Sequence, residues 1–245
     1  MKVIIDTEER IAELAAQRYV QLLNDKPEAI LGYATGSTPL GLYAELIRLN
    51  KAGKFSYAKA TSFNLDEYAG LDGSHDQSYR YFMNHNLFDH VDIRKDHTFV
   101  PSGLDLSAET AAAYDKAIEE AGGIDLQLLG IGRDGHIGFN EPLSSLSSRT
   151  RAKSLTPETY EQNGPLFDKP EDMPMRAFTM GVGTILDARR LVLLATGAEK
   201  AEIFDPFDRL RGPKMPCNKL FIYSSCTHGT PFVVIMVKPG ICKVS

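Results

Sequence analysis

Three times in the first 142 residues a short apolar run stops abruptly in a cluster of small or polar residues. That repeated pairing limits the folds open to this chain. Glu28–Tyr33 runs into Ala34-Thr35-Gly36-Ser37-Thr38-Pro39. Ala60–Leu65 runs into Asp66-Glu67, and Ile124–Ile131 runs into the glycine-rich Gly132–Pro142. Between these runs lie segments with helical periodicity. Thr7–Asn24 repeats apolar residues at Ile11, Leu14, Ala15, Tyr19, Leu22 and Leu23; Leu40–Leu49, Gln77–Phe88 and Ala108–Ala121 follow, the last closed by Gly122-Gly123. Strands alternating with helices predict an α/β fold, a mostly parallel sheet with helices on its faces. His97–Val100, Arg190–Ala195 and Pro231–Val237 add further strands, and a helix is expected to open at Gly197-Ala198-Glu199-Lys200. In open parallel sheets ligands bind beyond the carboxyl ends of the strands, so the three clusters are expected to share one site.

The chain of 245 residues is long enough for one α/β domain over residues 1–245. Its net charge of −5 excludes a broad basic footprint for nucleic acid. An anionic ligand must then be held by local groups. No apolar run reaches the length of a membrane span. Met1–Arg10 carries charges where a secretory signal would carry an apolar core, so a cytoplasmic location is expected. Cys217, Cys226 and Cys242 are odd in number and lack C-x-x-C spacing, which reads as small semi-buried hydrophobes. Thr156–Pro174, rich in Pro, Glu, Asp and Asn, reads as a long irregular excursion of the kind that forms mobile lids.

Each cluster suggests a chemistry. Thr35-Gly36-Ser37-Thr38 between a strand and a helix presents free N–H groups and hydroxyls at the positive end of a helix dipole, which suits a phosphate; a tight turn with Ser37 or Thr38 capping the helix explains it equally well. It is neither a Walker A loop nor a dinucleotide fingerprint. Of Asp66 and Glu67, adjacent at a strand end, only one can face a shared pocket. In Gly130–Pro142, four glycines let the backbone turn sharply while Asp134, His136 and Glu141 offer one imidazole flanked by two carboxylates. A carboxylate on one imidazole nitrogen raises the basicity of the other, which suits proton transfer to or from a sugar ring oxygen. With a single histidine, a divalent metal ranks below that reading. Lys200 can reach a phosphate as a point charge, or be a solvated surface lysine.

Taken together, Leu31–Pro39 (LGYATGSTP), Phe63–Gly70 (FNLDEYAG), Gly130–Pro142 (GIGRDGHIGFNEP), Ser144–Thr150 (SSLSSRT), Phe178–Asp187 (FTMGVGTILD) and Ala195–Ala201 (ATGAEKA) resemble the glucosamine-6-phosphate deaminases. The resemblance implies a three-layer, Rossmann-like α/β fold with helices on both faces of the sheet, and conversion of glucosamine 6-phosphate and water to fructose 6-phosphate and ammonia, an aldose–ketose isomerisation with loss of the amine. It implies that Asp66 takes the C2 proton and delivers one to C1, that His136 assists ring opening, and that Asp134 and Glu141 orient the imidazole. It assigns the phosphate to Thr35, Gly36, Ser37, Thr38 and Lys200. No metal, nucleotide or organic cofactor is implied; the one partner expected is a small sugar phosphate, and the chain is expected to be a monomer or a homo-oligomer.

Two stretches depart from the family pattern. Relatives commonly carry a phosphate-reaching arginine in the lid, whereas Glu161-Gln162-Asn163-Gly164-Pro165-Leu166-Phe167 has none. In residues 204–245, Met215-Pro216-Cys217-Asn218 and Ser224-Ser225-Cys226-Thr227-His228 stand where Cys-Pro-Ala-Ser, then Leu-Gln and His, are expected. Ser144, Arg151 and Lys153 match an effector site that binds an N-acetylated sugar phosphate in hexameric relatives, although Arg151 and Lys153 also suit a solvated strand edge. The short tail resembles the smaller members, and absence of allostery is expected. One rival is a 6-phosphogluconolactonase, which usually lacks the glutamate found here at Glu141. Another is a non-catalytic sugar-phosphate sensor, which would be expected to lose Asp66, Asp134, His136 and Glu141.

Overall fold

The strands β2 (Ile30–Tyr33), β6 (Leu126–Leu129) and β9 (Leu191–Ala195) are buried at every residue, which requires a sheet covered on both faces. The computed structural model describes residues 2–197 and 232–237. Within them β1 (Lys2–Asp6), β3 (Thr61–Asn64), β5 (Thr98–Phe99) and β10 (Phe232–Val237) complete a seven-stranded parallel sheet in the order β1-β10-β9-β6-β2-β3-β5. Strand register assigns the two faces. Tyr33 pairs with Asn64 and shares its side with Leu31, whereas Gly32 pairs with Phe63 on the other. On the first face Tyr33 stacks on Tyr19 of α1 (Glu8–Asp25) and meets Tyr43 of α2 (Leu40–Lys51) edge-on. On the second, Phe63 packs against Tyr114 of α4 (Ala108–Glu120). Helices on both faces of a parallel sheet are thus observed directly.

The helices begin where their capping chemistry begins. Thr7 accepts from Arg10 N at α1, and Ser107 accepts from Thr110 N at α4. Pro39 sits at the N-cap of α2 rather than inside its first turn. The aromatic stretch expected as one helix is α3 (Tyr79–Met83) followed by a wider π-turn, Asn84–Phe88, in which the N–H of Asp89 reaches back five residues to Asn84 O at 3.0 Å.

The amino ends of the central strands are tied by Asp125. Its buried carboxylate accepts from the Ile30 N–H at 2.9 Å, from Lys26 Nζ at 2.8 Å and from Arg189 at 3.2 Å, while its own N–H donates to Ile30 O. One side chain thereby locks the start of β2 to the start of β6.

One expectation is corrected. Asp66-Glu67 is not the frayed end of β3. The chain turns at Leu65 into β4 (Asp66–Tyr68), which joins β8 (Arg176–Thr179) and β7 (Arg151–Ser154) in a separate three-stranded antiparallel sheet. Periodicity could not reveal this sheet, because β4 is three residues long and buried throughout. The excursion after Thr156 is also more regular than expected: it holds α5 (Pro157–Asn163) and two short 3-10 turns. Cys217, Cys226, Cys242, Lys200 and the helix expected around it lie outside the described residues, as does residues 204–245 apart from β10. No helix among the described residues is long and apolar enough to cross a membrane.

The Asp125 clamp yields a stability prediction. Asp125→Ala removes a charged acceptor from a buried N–H and from two cations, and should lower the unfolding free energy by about 2 kcal/mol. A urea midpoint equal to the parent's would contradict this role.

Candidate active site

The order of strands reverses between β2 and β6. From β2 the chain moves outward through β3 to β5; from β6 it moves the other way through β9. A crevice opens at the carboxyl ends of strands at such a switch point. The loops after β2 and β6 meet there around a cavity of about 290 Å³.

The β2 loop turns at Gly36, whose φ of 103° favours glycine. The N–H groups of Gly36, Ser37 and Thr38 have no acceptor among the described residues, and Leu40 N closes onto Ser37 O at 3.2 Å as α2 begins. Thr35–Thr38 all line the cavity, and Thr38 Oγ1 lies 3.4 Å from Thr196 Oγ1 at the end of β9. Lys200, the remaining phosphate candidate, lies outside the described residues.

The β6 loop is folded tightly on itself. Gly132 N donates to His136 O at 2.9 Å, and Gly135 N to Gly132 O at 3.1 Å. The imidazole of His136 lies against the backbone of Gly132: a Cβ there would come within 2.2 Å of the ring. The loop's far end is pinned to β8, because Asn140 Nδ2 donates to Met180 O at 2.8 Å and Phe139 N to Thr179 Oγ1 at 3.2 Å.

His136 Nδ1 lies 2.7 Å from Asp134 Oδ1 and 3.9 Å from Glu141 Oε2. Both carboxylates thus approach the same ring nitrogen. The Asp134 contact is close but off-line, since Nδ1 has no well-directed hydrogen bond among the described residues. Burial opposes the charge on Asp134, but contact with His136 outweighs it and holds the carboxyl well below its ordinary range. Glu141 is held from its other oxygen: Oε1 accepts from Thr159 Oγ1 at 2.8 Å and Thr156 Oγ1 at 3.1 Å, both from the start of α5. The excursion expected as a lid is thereby tied to the carboxylate beside the imidazole. The three side chains could ligate a divalent ion, since their ligand atoms fall within 4.8 Å of one another.

Asp66 enters the cavity from β4 and is 6% exposed. Its carboxylate takes no hydrogen bond from any described residue, and burial, with the charge of Glu67 second, pushes it up to about 8. Gly138, at φ 57°, passes close by; a Cβ there would lie 3.2 Å from Asp66 Oδ2. Glu67 faces away and accepts from the N–H groups of Tyr68, Tyr79 and Arg80 at 2.8–3.0 Å, which fixes the start of α3. The adjacent acids are divided as expected: one faces the pocket, the other holds a helix.

Residues that sequence reasoning passed over also line the cavity: Tyr79, Phe139, Asn163 and Arg133. Asn163 donates to the Tyr68 hydroxyl at 3.2 Å. Nothing in the local pattern marks Tyr79 or Asn163, which arrive by tertiary packing; Arg133 was legible as a cation inside the glycine loop. The effector candidates are dispersed. Arg151 and Lys153 share one side of β7, and Arg151 lines a second cavity of about 850 Å³ with Arg149, Thr150 and Asp115; Ser144 and Lys153 are not among its walls.

Comparison with known proteins identifies the family. The family described as glucosamine-6-phosphate isomerases/6-phosphogluconolactonase matches residues 6–225. A glucosamine-6-phosphate deaminase of Hahella chejuensis is 54% identical over 203 residues, 82% of this chain and 78% of its own length. One from Clostridium perfringens is 50% identical over 196 residues, 80% and 81% of the two chains. Among solved structures, a monomeric glucosamine-6-phosphate deaminase superposes with a TM-score of 0.88 at 38% identity, covering 97% of this chain and 98% of its own. A 6-phosphogluconolactonase from Trypanosoma cruzi shares the fold alone, at TM-score 0.73 and 20% identity over 98% of this chain and 97% of its own.

The imidazole's position makes a direct prediction. Gly132→Ala should displace the ring and cost roughly 100-fold in kcat with a near-parent melting temperature; kcat within twofold of the parent would refute the close approach. The chain belongs to the glucosamine-6-phosphate isomerase and 6-phosphogluconolactonase family, within which its half-identical relatives are glucosamine-6-phosphate deaminases.

Proposed function

We propose that this protein is a glucosamine-6-phosphate deaminase, converting glucosamine 6-phosphate and water to fructose 6-phosphate and ammonia. The observation that carries the reading is the buried Asp66 carboxylate, unpartnered among the described residues, beside the His136 loop. A carboxylate in that setting is a stronger base than one in water.

His136, with Nδ1 against Asp134, keeps Nε2 for the substrate and moves a proton between the sugar's anomeric hydroxyl and its ring oxygen as the ring opens. Asp66 then takes the proton from C2 while the C1 carbonyl oxygen gains one from the neighbouring ammonium, giving an enolamine, and Asp66 returns its proton to C1. Water adds to the resulting C2 iminium, and the C–N bond breaks to leave the ketone and ammonia. The N–H groups after β2 hold the phosphate, with Lys200, so that C2 is presented to Asp66 without the phosphate taking part in the chemistry. Glu141, fastened to α5, conditions the imidazole when the excursion at Thr156–Pro174 closes. None of these steps draws on a metal or organic cofactor.

The similarity to a monomeric deaminase supports an unregulated enzyme, because a monomer has no subunit interface in which an effector can lodge. On this reading Ser144, Arg151 and Lys153 hold no effector.

An ammonia-release assay on glucosamine 6-phosphate tests the proposal. The parent should be active with a hyperbolic rate curve that N-acetylglucosamine 6-phosphate leaves unchanged. Asp66 must be ionised to act as a base. A carboxyl raised to about 8 is increasingly protonated below that pH, so kcat/KM should climb with pH towards a plateau above about pH 8. Asp66→Asn and His136→Gln should each lose roughly 10²–10⁴-fold. Full activity in Asp66→Asn would remove the assigned base, and a parent inert towards this sugar would remove the function.

A further inference from the structure

The site must hold a phosphate dianion in a cavity that Asp66 lines, yet its described walls offer little positive charge. Arg133 is the one permanent cation among the described residues lining the cavity. It occupies the second position of the tight turn Gly132–Gly135, closed by the 3.1 Å bond from Gly135 N to Gly132 O. The residue after it, Asp134, is committed to the imidazole. Arg133 itself is exposed, and makes no ion pair or side-chain hydrogen bond with any described residue. Its loop follows β6 and the Gly36–Thr38 turn follows β2. These strands are direct neighbours in the sheet, hence roughly 5 Å apart, and a guanidinium on one loop readily reaches an anion seated on the other. The excursion segment Glu161–Phe167 carries no arginine.

We propose that Arg133 supplies the guanidinium that grips the substrate's phosphate, from the floor loop beside the imidazole and in place of a lid-borne arginine. The proposal rests on the deaminase reading for the identity of the sugar, but not for the phosphate. A guanidinium forms paired, charge-assisted hydrogen bonds with two phosphate oxygens, a geometry that a lysine cannot copy. Because the Gly132–Gly135 turn is fixed by its own backbone bond, this grip is in place before the excursion closes. Arg133 therefore contributes to capture of substrate far more than to the bond-making steps.

The test compares the parent with Arg133→Ala and Arg133→Lys. For Arg133→Ala the proposal expects KM for glucosamine 6-phosphate to rise roughly 30–100-fold, with kcat changed far less, and the inhibition constant for inorganic phosphate to rise in parallel. Arg133→Lys should fall between the two, since it restores charge without the fork. Glucosamine without its phosphate should be turned over equally poorly by parent and variants. A KM and phosphate inhibition constant in Arg133→Ala equal to the parent's would overturn the assignment. So would a fall in kcat at unchanged KM, which would mark Arg133 as a support of the His136 loop. If the parent releases no ammonia, the deaminase reading falls by itself. Calorimetric titration of parent and Arg133→Ala with inorganic phosphate then still decides the matter: weakened binding supports the phosphate role, and equal binding overturns it. Equal melting temperatures establish that the variants are folded.

Discussion

One residue, Leu65, hydrogen-bonds into both sheets, and the site depends on it. Leu65 donates its N–H to Tyr33 O in the parallel sheet at 3.1 Å, and accepts at its carbonyl from Met180 N, beside the antiparallel sheet, at 2.7 Å. The next residue is Asp66. Its carboxylate is therefore delivered to the seam between sheets, where no described residue hydrogen-bonds it. That placement is costly for a charge and useful for a base. The same seam fixes the loop that carries the imidazole, because Asn140 and Phe139 bond to Met180 and Thr179 just beyond the junction.

Two constraints of shape complete the site. The imidazole lies on Gly132 where any side chain would collide, and Gly138 runs past Asp66 where a Cβ would crowd the carboxylate. The glycines thus bring base and imidazole onto one short loop's surface. The carboxylates are then separated by environment: Asp134 is held ionised against His136, while burial drives Asp66 the other way. Oppositely perturbed acids, one lining the cavity and one against the imidazole that lines it, suit a reaction needing both a fixed charge and a proton acceptor.

Much of this was legible in the sequence. Buried runs ending in polar clusters mark β2 and β6 and place their loops at one edge of a parallel sheet, because strand ends and glycine-rich turns are local properties. The Asp134, His136 and Glu141 constellation could be read from a single loop for the same reason. The antiparallel sheet could not: Arg151 and Lys153 suit a strand edge, but Asp66–Tyr68 is too short to show a period, and only its pairing with Arg176–Thr179 makes it a strand. Thr156–Pro174 reads only as an irregular excursion; the bonds of Thr156 and Thr159 to Glu141 exist only once α5 folds over the loop. Tyr79 and Asn163 were invisible likewise, because long-range packing brings them to the cavity. The family resemblance supplied the substrate, which no residue pattern by itself could name.

The central claim, that Asp66 handles the C2 proton, is most directly examined by proton NMR of glucosamine 6-phosphate incubated with the enzyme in deuterium oxide. The account predicts that the parent consumes the C2–H signal while fructose 6-phosphate appears. It predicts that Asp66→Asn, though folded and still able to bind inorganic phosphate, leaves that signal intact. Loss of the C2–H signal at the parent's rate in Asp66→Asn would contradict it.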